Sequence, residues 1–90
     1  MILRVDLSRQ AEKFLNNNRI PQEEIFRLIQ SATRKFRGED INIDIKKLAG
    51  AWDGFHRIRK GRFRIIAEFD FDALSVFVEV IDWRGGAYKQ

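Results

Sequence analysis

Apolar side chains change their spacing once along this chain, from a helical period to a strand period, and this change limits the possible folds. In the first half, one stripe of apolar residues recurs at i, i+3, i+4, i+7 and i+11, which is the spacing of a buried helix face. From about residue 55 onward, apolar and polar residues alternate, as they do in half-buried strands. The helical stripe consists of Ile25, Leu28, Ile29, Ala32 and Phe36. The sequence therefore predicts an α+β fold with a helix over about 22–37.

Shorter patterns predict the remaining elements. Residues 2–7 alternate like a strand, and Ser8 is a helix N-cap residue ahead of a short helix that ends at the asparagines 16–18. Glycines punctuate residues 38–54, which we interpret as a loop with at most a short turn near 45–48. Three further strands are predicted, at about 55–60, 62–69 and 74–82. The order β-α-α-β-β-β then places two N-terminal helices on one face of a small antiparallel sheet.

The composition narrows the class of protein. Ninety residues, 44% of them hydrophobic, suffice for one modest core, so we expect a single domain over residues 1–90. The chain has no cysteine and one histidine, which excludes a disulfide framework or a thiolate nucleophile and makes a zinc centre improbable. We therefore expect no metal and no cofactor.

The charge favours an anionic partner. A net charge of +4 suits a nucleic acid, an acidic protein or a lipid surface, and charge alone does not choose among them. Arg4 and Asp6 interrupt the apolar N-terminus before it could act as a signal segment, and no later stretch approaches the ~18 apolar residues of a membrane span. We expect a cytoplasmic protein that is neither exported nor membrane-spanning.

The densest charge lies in residues 54–64, GFHRIRKGRFR, which contain five basic side chains, one histidine and no acid. We take Lys60 and Gly61 as the two central residues of a tight turn between two strands. All four arginines then lie on one side of the sheet. In this register they form two facing pairs, Arg59 with Arg62 and Arg57 with Arg64.

Like charges that face each other across a ladder are unfavourable by ~0.2–1 kcal/mol per pair, so two such pairs favour a bound anion. The guanidinium group matches phosphate oxygens with two parallel hydrogen bonds, which makes phosphate the expected ligand. The predicted register of the next hairpin places Glu79 beside Arg64 and Ile81 beside Arg62. The alternative interpretation is that the arginines extend into water and Glu79 neutralises one of them.

The second half of the chain resembles the RelE/ParE superfamily of toxins from type II toxin-antitoxin systems. The family pattern is a leucine-glycine lead-in, an aromatic residue, two basic residues around a hydrophobic one, a glycine turn, an aromatic-arginine-hydrophobic strand, and an arginine and a tyrosine after the last strand. These features correspond here to Leu48, Gly50, Phe55, Arg57-Ile58-Arg59, Gly61, Phe63-Arg64-Ile65, Arg84 and Tyr88. The element order agrees over nearly the whole chain, so the resemblance implies a RelE-like microbial RNase fold.

The resemblance is closest to RelE-type mRNA interferases, which enter the ribosomal A site and cut the codon there. In that reaction the ribose 2′-hydroxyl attacks the adjacent phosphorus and leaves a 2′,3′-cyclic phosphate, so neither an enzyme nucleophile nor a metal is needed. The implied partners are a RelB-like cognate antitoxin that inhibits the toxin, the ribosome and its mRNA. The implied catalytic residues are Arg57, Arg59, Arg64, Arg84 and Tyr88. Substrate-binding positions are expected at Arg62, Lys60 and Lys47.

One departure from the family concerns proton transfer. RelE-type enzymes often carry lysines where this chain has Arg57 and Arg59, and arginine is a poor proton carrier. Alternation places His56 on the helix-covered face, where a structural role is expected. Glu79 could act as a base, or hold Arg64 in place as an ion-pair partner. Trp52 is interpreted as packing at the edge of the core or contacting the antitoxin, and the same holds for Trp83.

Two alternatives to the ribonuclease remain open. ParE-like toxins share the fold and the basic hairpin but bind and poison DNA gyrase without cutting RNA. The combination of Arg84 with Tyr88 favours the ribonuclease, and the lack of an obvious general base argues against it. The third possibility is an inactive relative or a plain RNA-binding module of the same fold.

Overall fold

A computed structural model of the chain describes residues 3–84, in which two helices pack on a five-stranded sheet. The helices are α1 (Arg9–Asn17) and α2 (Gln22–Phe36). The strands are β1 (Arg4–Leu7), β2 (Asp44–Lys47), β3 (His56–Lys60), β4 (Phe63–Asp70) and β5 (Ser75–Trp83), with one 3-10 turn at Gly50–Trp52. The α+β class, both helices and the three C-terminal strands are therefore confirmed.

The sheet differs from the prediction because it is mixed and has one more strand. Its order is β1-β5-β4-β3-β2, and β1 runs parallel to β5 while the other neighbours are antiparallel. The interpretation of residues 38–54 as a loop with a short turn near 45–48 was wrong at residues 44–47, which form the edge strand β2. The alternating apolar positions Ile41, Ile43 and Ile45 are a strand signal, which the flanking glycines obscured.

The turn between β3 and β4 lies one residue later than predicted. Lys60 pairs with Phe63, so the central residues are Gly61 and Arg62. Gly61 has a φ of +60°, and glycine at the first central position suits a type II′ hairpin turn. Each pairing shifts by two positions, which keeps every strand side chain on its predicted face. Arg59 consequently faces Arg64, whereas Arg62 leaves the strand for the turn.

A bulge in β5 overturns the predicted register of the second hairpin. Ala67 pairs with Val78 but Ile66 pairs with Val80, so Glu79 is an extra residue between them. Beyond this bulge the side chains of β5 change faces. Ile81, predicted on the arginine side, is fully buried in the core.

Two side chains at the start of α1 form hydrogen bonds with β5 at and beyond this bulge. Ser8 caps the helix by accepting a hydrogen bond from the Ala11 amide at 3.1 Å, which confirms the predicted cap, and its hydroxyl donates to the Glu79 carbonyl. The Gln10 side chain accepts from the Ile81 amide at 3.1 Å and donates to the Ile81 carbonyl at 3.2 Å. The polar groups of the irregular strand thus find partners outside the ladder.

Alternate residues of the sheet and one face of each helix share a single core. Its fully buried members include Ile25 and Ile29 from α2, and Ile58, Ile65 and Val78 from the sheet. The opposite face of the sheet carries no helix among the described elements and is largely polar. Neither helix of the described region has the length and apolar character needed to cross a membrane.

Candidate phosphate-binding face

Three arginines lie on the sheet face that points away from the helices. Arg57 and Arg59 flank the buried Ile58 on β3, and Arg64 lies between the buried Phe63 and Ile65 on β4. Strand alternation therefore turns all three guanidinium groups to the same side. We call Arg57, Arg59 and Arg64 the arginine face, and the structure confirms that the predicted hairpin brings these three together.

Asp44 on the edge strand β2 contacts two of these arginines. Its Oδ2 lies 3.4 Å from Arg57 Nη2 and 3.8 Å from Arg59 Nε. The position follows from the ladder, in which Asp44 is directly opposite Arg59. One carboxylate is thus shared between two cations, and its side chain is half exposed. Such an exposed pair contributes little, ~0–1 kcal/mol.

Asp82 on β5 contacts the third arginine. Its Oδ2 lies 3.3 Å from Arg64 Nη2, and its Oδ1 accepts a hydrogen bond from the Trp83 amide at 2.7 Å. The prediction that Glu79 lies beside Arg64 was wrong, because the bulge makes Glu79 the unpaired residue and places Asp82 opposite Arg64. Since Asp82 takes this position, the predicted role of Glu79 as a base or partner for Arg64 loses its geometric basis.

The arginine face keeps hydrogen-bonding capacity that its own acids do not use. The Nε atoms of Arg57, Arg59 and Arg64 are each buried without a hydrogen-bond partner. Arg59 Nε is within ion-pair range of Asp44, yet at 3.8 Å it is too far for a hydrogen bond. Buried donors without partners are uncommon in folded proteins. These Nε atoms are covered by the protein itself, so an anion on this face would contact the exposed parts of the arginine side chains.

Arg84 extends the cationic surface beyond the turn of the β3–β4 hairpin. Its amide donates to the Arg62 carbonyl at 2.9 Å, and its Nη1 donates to the Gly61 carbonyl at 3.3 Å. These two hydrogen bonds hold Arg84, which follows the last strand, against the turn. It lines a small open cavity of about 170 Å³ together with Asn42, Ile43, Asp44, Arg59, Lys60 and Gly61. Arg84 and Arg59 thus line the same cavity.

The predicted substrate-binding residues do not lie on the arginine face. Arg62 belongs to the turn, and its Nη2 lies 2.9 Å from Glu24 Oε1 on α2. Lys60 Nζ donates to the Asn42 carbonyl at 2.6 Å. Lys47 pairs with His56, whose side chain is on the helix-covered face. Because side chains alternate along β2, Lys46 rather than Lys47 lies on the arginine side of the sheet.

His56 occupies an aromatic cluster on the helix-covered face, as predicted. Its ring packs edge-on against Phe36 at 5.1 Å and Phe69 at 6.0 Å between ring centroids. Its Nδ1 is buried without a hydrogen-bond partner. Burial lowers the pKa of His56 below its ordinary value, and the positive charge of Lys47 lowers it further. The histidine is on the wrong side of the sheet to serve the arginine face.

Lowering the pH below about 6.5 is expected to destabilise the protein through His56. The pKa of His56 is lower in the folded chain than in the unfolded chain, so the unfolded state binds more protons below the ordinary value of ~6.5. The stability that the neutral His56 side chain contributes is therefore fully present above that pH. It is lost as the pH falls towards the folded-state pKa. Urea unfolding at about pH 7.5 and about pH 5.5 measures this change.

The variant His56→Phe is the control for this pH dependence, because it keeps an aromatic ring in the cluster and removes the titrating group. The wild-type protein should lose more unfolding free energy between the two pH values than the variant does. Equal losses in both proteins would show that His56 does not titrate differently on folding.

The two acids that contact the arginine face were not predicted from the sequence. Asp44 was hidden in a segment interpreted as a loop, although its place between Ile43 and Ile45 is a signal that could have revealed it. Asp82 was not singled out, because the predicted register has no bulge and leaves Glu79 beside Arg64. Tyr88, predicted as a catalytic residue, lies outside the described residues 3–84.

The arrangement can bind and neutralise a phosphate group but contains no metal centre in its described part. Within residues 3–84, histidine, aspartate and glutamate side chains do not gather in the groups of three that would hold an ion.

Trp83 packs edge-on against Phe14 at 5.0 Å between ring centroids, and Trp52 packs against Phe55 at 5.3 Å. These contacts are consistent with the predicted packing role of both tryptophans.

Fold and site together define a small α+β protein with a cationic sheet surface next to a hairpin turn. No protein-family model, no curated protein and no solved structure matches this chain.

Proposed function

We propose that this chain is a RelE-like toxin that binds mRNA on its arginine face and cuts it in the ribosomal A site. The observation that carries the proposal is the set of three arginines that share one face of the sheet and contact only two carboxylates among the described residues. A phosphodiester supplies acceptor oxygens and negative charge at once. The resemblance of the hairpin and of Arg84 to the toxin family adds the reaction.

The proposed reaction needs electrostatic stabilisation more than it needs a nucleophile. The RNA 2′-oxygen attacks the neighbouring phosphorus, the bond to the 5′-oxygen breaks, and a 2′,3′-cyclic phosphate and a 5′-hydroxyl result. Arg57, Arg59 and Arg64 would stabilise the extra negative charge on the phosphorane in the transition state. A fixed cationic surface does this without reorganising during the reaction, which is why arginine suits the task despite its high pKa.

Proton transfer in this reaction would use the acids beside the arginines. The 2′-hydroxyl loses a proton as it attacks, and the 5′-oxygen gains one as it leaves. Within residues 3–84, the carboxylates in ion-pair contact with the arginine face belong to Asp44 and Asp82. In the proposed reaction one of these carboxylates would accept the first proton, and a water molecule would supply the proton that the 5′-oxygen gains. This assignment replaces Glu79, which the bulge moves away from the position beside Arg64.

The proposed partners follow from the same surface. An inhibitory antitoxin of the RelB type would present an acidic segment to the arginine face or displace the C-terminal residues. The ribosome would position the mRNA, and the protein would act in the cytoplasm. A complex in solution that leaves the arginine face uncovered and the C-terminal residues in place would contradict this part of the proposal.

A gyrase-binding toxin of the ParE type is the second candidate. The observation that favours it is that the arginine face holds no histidine for proton transfer, since the single histidine of the chain lies on the opposite face of the sheet. Such a surface can bind an acidic partner protein without any proton transfer. The hairpin itself is shared by both classes of toxin.

Inducing the protein in growing cells and mapping mRNA 5′ ends on translating ribosomes tests the proposal. We expect growth arrest with cuts placed at a fixed position within codons. Intact mRNA together with gyrase-linked DNA breaks would assign the protein to the ParE-like class. Normal growth with intact mRNA and DNA would contradict both toxin proposals and leave an RNA-binding module.

Replacing Asp44 with asparagine is expected to strengthen phosphate binding. The substitution releases Arg57 and Arg59 from a carboxylate that competes with the phosphate for the same groups. Exposed ion pairs contribute ~0–1 kcal/mol, so affinity for a short RNA should rise by up to about fivefold. Fluorescence anisotropy with a labelled oligonucleotide measures the change at fixed salt.

The matched control is Asp6→Asn, which changes the net charge by the same amount. Asp6 also pairs with an arginine, Arg4, with Arg4 Nε 3.0 Å from Asp6 Oδ2, but it lies on the edge strand β1, at the far edge of the sheet from β2. If both variants bind RNA with equal affinity, Asp44 does not compete with phosphate on the arginine face.

A further inference from the structure

Two surface cavities meet at the turn of the β3–β4 hairpin. The first, of about 170 Å³, lies beside the arginine face and includes Arg59 and Arg84. The second, of about 380 Å³, lies between the turn and α2 and includes Arg27 and Arg62. Lys60 and Gly61 line both cavities, so the two lie side by side at the turn.

A third groove lies along α2, next to the cavity at the turn. It has a volume of about 750 Å³ and shares Arg27 and Ser31 with the cavity at the turn. Its basic members Arg34 and Arg37 follow Arg27 by seven and ten positions on the helix. Three neighbouring depressions, each sharing lining residues with the next, therefore extend from the arginine face past the hairpin turn to α2.

The charge along this path is mostly positive. The described basic residues that line the three depressions are Arg27, Arg34, Arg37, Arg59, Lys60, Arg62 and Arg84. The acids that line them are Asp44 and Glu24. Glu39 adds a third acid nearby, 2.9 Å from Arg34 Nη2 and 3.9 Å from Arg37 Nη2. The basic groups outnumber the acids, and depressions lined by one sign of charge concentrate counter-ions of the other sign.

Arg62 is held in a fixed position at the bend of the path. Its guanidinium carbon lies 5.0 Å from the centre of the Phe63 ring and 5.6 Å from that of Trp83. Glu24 holds the same guanidinium from α2, at 2.9 Å. Aromatic stacking and an ion pair together orient the group before any ligand arrives. A polyanion that follows the path thus meets a prearranged cation at the bend.

We infer that one RNA strand, longer than the arginine face can hold, runs around the hairpin turn and along α2. This inference rests on the proposed function, because it extends the RNA-binding surface of that same site. Single-stranded nucleic acid can bend from one cationic depression to the next, which a rigid duplex does not do. Cleavage would take place on the arginine face, while Lys60, Arg62 and Arg27 would hold the flanking phosphates.

The test compares the binding of a short and a long single-stranded RNA of mixed sequence, of about 4 and about 16 nucleotides, over a range of salt concentrations. The long RNA should bind more tightly, with a steeper dependence of log affinity on log salt. Arg27→Ala and Lys60→Ala should each reduce that slope by about 0.7 for the long RNA and leave the short RNA unaffected. Arg64→Ala should weaken the binding of both.

Arg9→Ala is the control, since Arg9 is an exposed arginine at the start of α1, outside the three depressions. Equal slopes for the two RNAs, or equal effects of Arg27→Ala and Arg9→Ala, would overturn the inference. Polyglutamate that displaces the long RNA as effectively as unlabelled RNA does would assign the path to an acidic polypeptide and also overturn it. Binding is measured without cleavage, so an inactive protein that still shows the length dependence would refute the proposed function alone.

Discussion

Arg64→Ala is expected to lower the rate of RNA cleavage by about a hundredfold or more without unfolding the protein. Removing one prearranged donor from a charged transition state typically costs ~10²–10³ in rate. Arg64 is the central arginine of the face, because it lies opposite Arg59 on one side and Asp82 on the other. Its side chain is 43% exposed, so the core does not depend on it. The rate of mRNA cleavage on programmed ribosomes is the measurement.

Two variants separate transition-state stabilisation from general charge effects. Arg4→Ala removes an arginine from the same side of the sheet, where Arg4 pairs with Asp6, and should leave the cleavage rate unchanged. Arg64→Lys keeps the charge but loses the two-pronged geometry, and should lie between the wild-type protein and Arg64→Ala. An Arg64→Ala protein that cuts as fast as the Arg4→Ala protein would remove Arg64 from the site.

Ile81→Ala is expected to lower the free energy of unfolding by about 2–5 kcal/mol, a large part of the ~5–15 kcal/mol that domains possess. The Ile81 side chain is fully buried in the core. It reaches the core because the bulge at Glu79 reverses the faces of β5 beyond that residue. The expected loss of unfolding free energy has two parts. The removed apolar groups are no longer buried away from water on folding, and the cavity that they leave costs packing contacts. Urea denaturation followed by far-ultraviolet circular dichroism measures it.

Ile66→Ala is the matched control, because it removes the same groups from the opposite face of the sheet. Ile66 is only partly buried and pairs with Val80 beside the bulge, so its loss should cost about 1 kcal/mol or less. If β5 had no bulge, Ile81 would lie on the arginine side and the two variants would be equally destabilised. Equal losses would therefore contradict the observed register.

The parts of the fold that local patterns encode were predictable. The stripe that includes Ile25, Leu28 and Ile29 indicates α2 without any tertiary information, and the alternation after residue 55 indicates β3, β4 and β5. The parallel pairing of β1 with β5 was not predictable in this way. It joins residues such as Val5 and Val76, and nothing local links segments so far apart in the chain.

The site was predictable to the extent that it depends on strand alternation. Arg57, Arg59 and Arg64 share a face in the predicted and the observed register alike, since the turn shifts the pairing by two residues. The partners of these arginines were not predictable, because each depends on a feature that breaks the simple pattern. Asp44 lies opposite Arg59 because the segment between the glycines contains a strand. Asp82 lies opposite Arg64 because a bulge reverses the faces of β5.

Cleavage of an mRNA that carries 2′-deoxyribose at the A-site codon tests the central claim most directly. Purified protein is added to ribosomes programmed with either the all-ribose mRNA or its deoxy counterpart, and the product ends are identified by mass spectrometry. We expect the all-ribose mRNA to be cut to a 2′,3′-cyclic phosphate and the deoxy mRNA to remain intact at that codon. Cleavage of both mRNAs, or of neither, would contradict attack by the 2′-hydroxyl on the arginine face.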